Sequence, residues 1–258
     1  MGNIIVHQIT GAWGLPSVSP FCLKLETYLR LVALPFTTVI DSTPFKAPKR
    51  KLPYIEHEGK GIGDSGFIID YLNHRYGYDL DAQLTPSERA TAHALRRLLE
   101  ENLYWTLVYD RWFLEENWPK TRDVLMGGVP AFVRPLVVRI GKRGVWQELV
   151  GHGIGRHSRD EIHQIGIRDI KVLADFLGNK PFLMGGEPTE VDATAYGHLA
   201  NILTVPIETP IKVEGLKREN LVAYCQRVQT RGFATSAHGH GTPVQIPTSK
   251  KRDRAATA

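Results

Sequence analysis

Short blocks of apolar residues, separated by polar and glycine-rich stretches, predict the element order β-α-β-loop-β-turn-α for residues 4–76. Residues 4–9 have the apolar pattern of a buried strand. Ser19-Pro20 begins a helix, because serine is favoured at the N-cap and proline at the first helical position. Residues 36–40 predict a second strand. These three elements suit a right-handed βαβ unit with a further strand beside it.

Residues 51–65 predict that further strand, a tight turn and the beginning of a second helix. Proline has no N–H to donate, so Leu52-Pro53 fits the start of a strand at residues 54–57. The glycine-rich residues 59–63 favour a turn. Asp64-Ser65 stands directly before a helical apolar pattern, where such side chains satisfy open N–H groups. A helix N-terminus of this kind attracts a carboxylate or phosphate, although the same pair can also be a simple cap.

From residue 85 onwards, strand patterns nearly vanish and amphipathic helical patterns replace them. These patterns cover residues 86–117, 129–150, 159–178, 189–204 and 221–228. We therefore predict an α/β domain at residues 1–78, a linker at 79–84 and an all-helical domain at 85–235. Residues 236–258 have little apolar content and are predicted to form a disordered basic tail.

The composition is that of an ordinary globular chain, with 258 residues, of which 42% are hydrophobic and 23% charged. Two cysteines, Cys22 and Cys225, cannot form a disulfide framework, which favours a reducing compartment, the cytoplasm. The first ten residues match neither a signal peptide nor a membrane span. Residues 250–254 carry four basic residues against one acidic residue, a large share of the net charge of +5. We therefore expect no specific nucleic-acid interface on a folded face.

Four segments in order resemble the glutathione transferase superfamily. They are Ser19-Pro20-Phe21-Cys22, Leu52-Pro53-Tyr54-Ile55, Asp64-Ser65, and the stretch from Phe182 to Ala193. The resemblance implies a thioredoxin-like N-terminal domain with a mixed sheet and a cis-proline, followed by the family's helical bundle. The segments at residues 19–31 and 51–65 are most similar to the failed-axon-connections and metaxin-like branch.

This resemblance implies that the chain binds glutathione as a co-substrate and activates its thiol for attack on a small apolar electrophile. The same fold also has non-catalytic members that bind glutathione or another ligand, or act as adaptors, and this alternative stays open. The family often forms dimers, and the sequence leaves a homodimer open as well. We expect no metal ion, and His152, His157 and His163 lack the spacing of a zinc site.

The resemblance also implies roles for individual residues in glutathione binding. Pro53 is expected to be cis, with the backbone of Leu52 pairing with the cysteinyl backbone of glutathione. Ser65 and its helix N-terminus are expected to hold the γ-glutamyl carboxylate, and Asp64 the amine. Lys51 is a candidate for the glycyl carboxylate, but a solvated lysine is the alternative.

On the thiol side, Ser19 stands where related proteins place a catalytic serine or cysteine. Ser17 and Trp13 are rival candidates, and Ser19 can also be only a helix cap. Cys22 falls on the apolar face of its helix, which favours a buried structural thiol over a redox one.

Two features of the helical domain complete the prediction. Tyr109 and Trp112 continue an aromatic stripe at helical spacing, so they are either core residues or the wall of the electrophile pocket. Thr189 and Asp192 have the spacing of a capping box. From that spacing, replacing Asp192 by alanine is expected to cost about 0.5–2 kcal/mol of stability and to leave glutathione affinity unchanged.

Overall fold

A mixed four-stranded sheet forms the N-terminal part of the chain, of which the computed structural model describes residues 2–41 and 44–233. The strands lie in the order β2-β1-β3-β4, with β1 parallel to β2 and β3 antiparallel to both neighbours. The elements are β1 (Ile5–Gln8), α1 (Pro20–Leu31), β2 (Thr37–Ile40), a short 3₁₀ turn (Pro44–Lys46), β3 (Tyr54–His57), β4 (Lys60–Gly63) and α2 (Ser65–Tyr76). This is the predicted mixed sheet with its two helices.

The structure has a fourth strand, β4, where the glycines of residues 59–63 predict a turn. A Cβ at Gly61 would lie 3.3 Å from Cγ of Pro48, and one at Gly63 would lie 3.5 Å from Cγ of Lys49. The loop before β3 therefore lies directly against this strand, and glycine permits that approach. Because glycines have no side chain, the alternation that identifies a strand in the sequence is missing here.

The opposite face of the sheet packs on α1 and α2. Val6 and Ile55 are fully buried there, against leucines and isoleucines of both helices. The buried members of this cluster are Ile4, Val6, Leu25, Tyr28, Leu29, Val32, Leu34, Ile55, Ile68, Ile69, Leu72 and Ala193. Ala193 comes from the helical part of the chain, so the sheet core already includes a contact between the two parts.

Helices and the loops that connect them form the rest of the described chain. They are α3 (Pro86–Arg97), a π-helical segment (Leu98–Leu103), α4 (Tyr104–Trp112), α5 (Trp118–Met126), α6 (Arg134–His152), a 3₁₀ turn (Ile154–Arg156), α7 (Arg159–Leu177), α8 (Glu190–Leu203), α9 (Pro210–Lys217) and α10 (Glu219–Phe233). None of the helices in residues 2–41 and 44–233 has the length and apolarity to cross a bilayer. The predicted fold class, an α/β domain followed by a helical bundle, is confirmed.

Two helices differ from the predicted pattern. The stretch predicted as one helix over residues 86–117 ends at Trp112, and α5 begins separately at Trp118. Pro119 in its first turn can start a helix but cannot continue one. The short helix α9 was missed, although Thr209 accepts a hydrogen bond from the Lys212 N–H and Pro210 follows it, which is the same start signal as in α1.

The central helix α8 joins the two parts. A Cβ at Gly197 would lie 2.5 Å from the carbonyl oxygen of Pro20, so glycine allows the backbones of α8 and α1 to touch. Nearby, Lys24 of α1 donates to Glu100 of the π-helical segment over 2.8 Å, and both side chains are buried. The N-terminal end of α1 is therefore fixed by the helical part as well as by the sheet.

Candidate functional site

The sheet topology brings three predicted site segments to one edge. Strands β1 and β4 run in the same direction, and β3 runs opposite to both. The ends of β1 and β4 therefore lie beside the beginning of β3. Helix α1 follows β1, helix α2 follows β4, and Pro53 precedes β3. The N-termini of two helices and the Leu52-Pro53 peptide meet at this edge, which we call the sheet-edge cleft.

The Leu52-Pro53 peptide bond is cis, as the family resemblance implies. Tyr54, directly after it, pairs with His7 on one side and Gly63 on the other. Leu52 is half-buried, and its N–H and C=O have no hydrogen-bond partner within residues 2–41 and 44–233. An extended peptide can pair with such an open backbone, as a strand pairs with a sheet edge.

The N-terminus of α2 supplies side-chain groups beside that backbone. Asp64 has φ 83°, a left-handed conformation that is uncommon for residues other than glycine and that often marks a functional position. Its Oδ1 accepts from the N–H groups of Gly66 (2.9 Å) and Phe67 (3.3 Å). Ser65 is only 4% exposed, and its hydroxyl has no partner among the residues described. This hydroxyl and the second oxygen of Asp64 are left for a ligand.

The N-terminus of α1 contains both candidate serines, in different environments. Ser19 is half-buried and caps the helix, with its Oγ accepting from the Cys22 N–H over 3.4 Å. Ser17 is fully buried; its hydroxyl donates to the Ile9 carbonyl over 2.9 Å and accepts from the Ser19 N–H. Ser17 therefore ties the loop to the end of β1, and only Ser19 is open to the cleft.

Cys22 lies directly beneath these serines and is fully buried, as predicted. Burial raises the pKa of its thiol, although hydrogen bonds from Ser19 and Ser17 act in the opposite direction. Burial also raises the pKa of Cys225, to about 12. Both cysteines are free. Neither thiol is ionised near neutral pH, which fits structural roles.

Arg111, which was not predicted from the sequence, lies behind Ser19. It is 6% exposed and donates to the Val18 carbonyl (2.6 Å) and to the backbone and side-chain oxygens of Asn201 (both 2.8 Å). No carboxylate among the described residues forms an ion pair with it. Burial lowers the pKa of its guanidinium to about 10, so it stays charged at neutral pH. A positive charge is therefore held one residue from Ser19.

Tyr104 is a second residue that was not predicted. Its ring meets Phe21 of α1 edge-on, with 4.8 Å between ring centroids, and both rings contact His198. Burial raises the pKa of Tyr104 to about 12. Tyr104 and Arg111 are seven residues apart on one face of α4, and that spacing was available in the sequence.

Tyr109 and Trp112, the candidates for the core or for the wall of the electrophile pocket, lie further along α4. Tyr109 stacks on Phe113, and Trp112 packs on Trp118, in a cluster that also includes α6. Tyr104 packs against the same cluster. Trp13 has φ 55° and packs against the large helical core, with Arg111 at 5.8 Å from its ring centre.

Lys51, the candidate for the glycyl carboxylate, precedes the open backbone of Leu52. Its ammonium lies 3.4 Å from the Glu148 carboxylate of α6, and both side chains are well exposed. An exposed pair of this kind contributes only about 0–1 kcal/mol. Lys51 can therefore exchange Glu148 for a ligand carboxylate at little cost.

The histidines considered for metal binding have protein partners. His163 is 2.9 Å from Asp110 in a buried pair, His152 stacks on Trp105, and His157 lies 3.8 Å from Glu161. Over residues 2–41 and 44–233, no group of three or more potential ligand side chains comes together.

Comparison with known proteins identifies both parts of the chain. Residues 20–118 match the model of the glutathione S-transferase N-terminal domain, and residues 166–228 match that of the C-terminal domain. Failed axon connections of Drosophila melanogaster is 34% identical over 242 residues, which cover 89% of this chain but 58% of that protein. The chain thus spans little more than half of this relative's length.

Two further comparisons cover the whole length of the relative. Isoprene-epoxide--glutathione S-transferase of Rhodococcus sp. strain AD45 is 33% identical over 235 residues, covering 88% of this chain and 98% of that enzyme. A glutathione S-transferase of Methylobacterium radiotolerans, solved with glutathione sulfonate, superposes with a TM-score of 0.57 at 17% identity, covering 99% of this chain and 100% of that one. At that identity the structural match shows the fold alone. The chain belongs to the glutathione S-transferase family, in the branch that includes Failed axon connections and the metaxins.

Proposed function

We propose that the sheet-edge cleft binds glutathione and activates its thiol for attack on a small apolar electrophile. The observation that supports this most directly is the open backbone of Leu52, flanked by the N-termini of α1 and α2. The cysteinyl backbone of glutathione pairs with Leu52. The γ-glutamyl carboxylate lies on Ser65 and the N-terminus of α2, the amine on Asp64, and the glycyl carboxylate near Lys51.

In this proposal Ser19 donates a hydrogen bond to the glutathione thiolate. Lowering a thiol pKa of about 8.5 by two units takes roughly 2.7 kcal/mol. A hydrogen bond to a charged group supplies about 1.5–3 kcal/mol, and a helix N-terminus about 0.3–1 kcal/mol. One hydroxyl at the start of α1 is therefore sufficient, without a metal ion.

Arg111 adds to this effect. A buried cation without an acidic partner costs stability, and strongly perturbed groups of this kind cluster at functional sites. The guanidinium of Arg111 is held against the Val18 carbonyl, directly behind Ser19. Its field favours an anion at the thiol position and so lowers the thiol pKa further. Phe21, two residues after Ser19, forms with Tyr104 an apolar surface for the electrophile. Tyr109 and Trp112, further along α4, are additional candidates for this surface.

Glutathione binding is tested first by thermal unfolding. A ligand that binds only the folded protein stabilises it by mass action. We expect the melting temperature to rise as glutathione is raised into the millimolar range, and the rise to be smaller for Ser65→Ala. No stabilisation of the wild-type protein would overturn the proposal.

Catalysis is tested with an aryl halide as the electrophile. Ser19→Ala should lower kcat and raise the pKa of the bound thiol by about one to two units, because one hydrogen bond of about 1.5–3 kcal/mol is lost. Ser65→Ala, the matched control, should raise KM for glutathione and leave the pH profile of kcat in place. A pH profile that is unchanged in Ser19→Ala would remove Ser19 from the mechanism.

A non-catalytic glutathione-binding or adaptor protein is the second candidate. It is favoured by the Ser19 hydroxyl, which already accepts from the Cys22 N–H and lies beside the Cys22 thiol. Binding of glutathione without turnover of a broad electrophile panel would select this candidate. Both candidates fit a reducing compartment that contains glutathione, and we propose the cytoplasm, in keeping with two free cysteines.

A further inference from the structure

Helix α6 and the turn before it expose a stripe of large apolar side chains. Phe132, Leu136 and Ile140 follow one another at intervals of four residues, and they are 87%, 61% and 64% exposed. Leu136 and Ile140 therefore lie on one side of the helix, and Phe132 is in the turn that precedes it. Val137 and Trp146 are exposed on the flanks of this stripe. A contiguous exposed apolar surface of this kind marks an interaction site.

The opposite side of α6 makes its contacts with the protein. Leu149 is the one fully buried residue of the helix. A Cβ at Gly141 would contact the Trp112 ring at 3.7 Å, and the Lys142 ammonium lies 4.2 Å from the centre of the Trp118 ring. The helix is thus fixed along its inner side, and the stripe of Phe132, Leu136 and Ile140 faces outward.

The charged residues that neighbour the stripe in sequence have one sign. Between Asp123 and Glu148 the sequence contains no acidic residue and four basic ones. Arg139 and Arg143 lie on the turns next to Leu136 and Ile140. Neither guanidinium has a hydrogen-bond or ion-pair partner within residues 2–41 and 44–233. The exposed surface is therefore apolar in the middle and cationic along one side.

This combination selects among the partners that could cover the surface. A second copy docked through the same surface would bury Arg139 and Arg143 against a segment that contains no acidic residue, and guanidinium groups buried without acidic partners oppose association. A nucleic acid would match the arginines but offers no hydrocarbon for Phe132 and Leu136. An anionic lipid surface matches both, because apolar side chains enter the acyl boundary while arginines remain among the headgroups.

We propose that α6, together with Phe132, is a docking surface for an anionic lipid bilayer. The helix lies in the plane of the membrane surface, with Phe132, Leu136 and Ile140 at the acyl boundary and Arg139 and Arg143 on acidic headgroups. The sheet-edge cleft takes no part in this contact, so the inference is independent of glutathione binding.

Co-sedimentation of the full-length protein with lipid vesicles tests the proposal. Wild type should bind vesicles of phosphatidylcholine with phosphatidylserine, bind vesicles of phosphatidylcholine alone less, and be released by salt. Each basic residue near an anionic surface is worth about a fivefold change in partitioning. Arg139→Gln with Arg143→Gln should therefore bind about 25-fold more weakly. Leu136→Gln with Ile140→Gln should bind at least about tenfold more weakly, because their hydrocarbon is no longer buried.

Matched controls come from another exposed surface. Val172→Gln with Val213→Gln changes two valines that are 47% and 48% exposed on α7 and α9, and Lys171→Gln with Lys217→Gln removes two exposed charges there. Both should bind vesicles as wild type does. All variants retain the basic residues 250–254, so a difference between them reports on α6, and unchanged melting temperatures show that they are folded.

Three outcomes would overturn the proposal. Wild type that does not distinguish the two kinds of vesicle has no anionic lipid site. If the α6 variants bind as wild type does, another part of the chain is responsible. If the Leu136 and Ile140 substitutions convert a dimer into a monomer by light scattering, without any vesicle binding, the surface is an interface between copies of the chain.

Discussion

Two helices of the same bundle, α8 and α6, have opposite environments. All residues of α8 except Glu190 are buried, whereas Leu149 alone is buried among the 19 residues of α6. Both helices are rich in apolar residues, so apolar content does not explain the difference. Helix α8 has small residues where it crosses α1, such as Gly197, while α6 has arginines beside its leucine and isoleucine. Small residues allow the close packing of α8 on α1. Arginines beside exposed apolar residues, as on α6, are typical of a surface that contacts an external partner.

If α8 is the closely packed helix of the two, the largest loss of stability is expected on replacing Asp192, in its first turn. Its carboxylate accepts from the N–H groups of Leu183 (2.9 Å) and Thr189 (2.7 Å), the Thr189 hydroxyl (2.7 Å) and the Tyr224 hydroxyl (2.8 Å). Asp192→Ala would leave these buried donors without an acceptor. We expect a loss of about 4 kcal/mol, measured by urea unfolding.

This value is larger than the 0.5–2 kcal/mol expected from the capping box alone. The Thr189–Asp192 capping box is present, but the sequence spacing could not show that Leu183 and Tyr224 also donate to the same carboxylate. A measured loss below about 2 kcal/mol would mean that the capping box alone contributes to stability and that the bonds from Leu183 and Tyr224 do not. Glutathione affinity of the folded fraction should be unchanged, since Asp192 lies outside the sheet-edge cleft.

Local signals explain why much of the fold could be predicted. The side chains of Ser19 and Asp64 cap α1 and α2 by accepting from N–H groups two or three residues further along the chain. Both helices begin where predicted. Strand β4 was missed because Gly61 and Gly63 have no side chains to show a pattern. The contact that requires these glycines comes from Pro48 and Lys49, and a turn is the ordinary interpretation of such a stretch.

The candidate site was predicted unevenly for a related reason. Leu52-Pro53, Ser19 and Ser65 belong to short motifs, which a sequence displays directly. Arg111 was missed because a charged residue in a helical pattern is normally assigned to the solvent side. Its burial depends on the Val18 and Asn201 carbonyls, which are distant in sequence. Tertiary contacts of this kind cannot be derived from spacing.

The second prediction concerns the crossing of α8 and α1. In Gly197→Ala the new methyl group would lie 2.5 Å from the Pro20 carbonyl oxygen and 2.9 Å from the Lys24 backbone nitrogen. Backbone cannot move aside as a flexible side chain can, so the cost should reach the upper part of the usual range for overpacking, about 3 kcal/mol. Because Ser19 caps α1, we expect weaker glutathione binding as well, measured by calorimetry. A variant as stable as wild type would contradict the close crossing.

The third prediction concerns pH, through His198 of α8. Its Nδ1 lies 2.8 Å from the Thr194 carbonyl, and its Nε2 is buried without a partner in the described structure. Burial lowers the pKa of His198 to about 4 from its ordinary 6.5. Between these values the unfolded chain binds a proton that the folded protein does not, so stability is lost as the pH falls from 6.5 towards 4. The loss at pH 5 should be about 2 kcal/mol.

His198→Phe keeps a ring against Phe21 and Tyr104 and removes this titration. Between pH 7 and pH 5, the unfolding free energy of this variant should fall by about 2 kcal/mol less than that of the wild type. Asp169 provides a control of opposite sign, since burial raises the pKa of its carboxyl to about 6 and so favours the folded state at low pH. Asp169→Asn should therefore make the protein more sensitive to acid, and equal pH profiles in both variants would refute the assignment.

The smallest effect is expected at Gly144 of α6. Replacing it by alanine is the same substitution as Gly197→Ala, made in the other helix. A Cβ at Gly144 meets no atom within 4 Å in the described structure, and alanine is favoured over glycine inside a helix by about 0.8–1 kcal/mol. Gly144→Ala should therefore raise the melting temperature by roughly 2–4 °C and leave glutathione affinity unchanged. The same substitution thus stabilises an open helix and destabilises a closely packed one. If Gly144→Ala were instead destabilising, this side of α6 would have to be covered by protein in solution, and the contrast between the two helices would disappear.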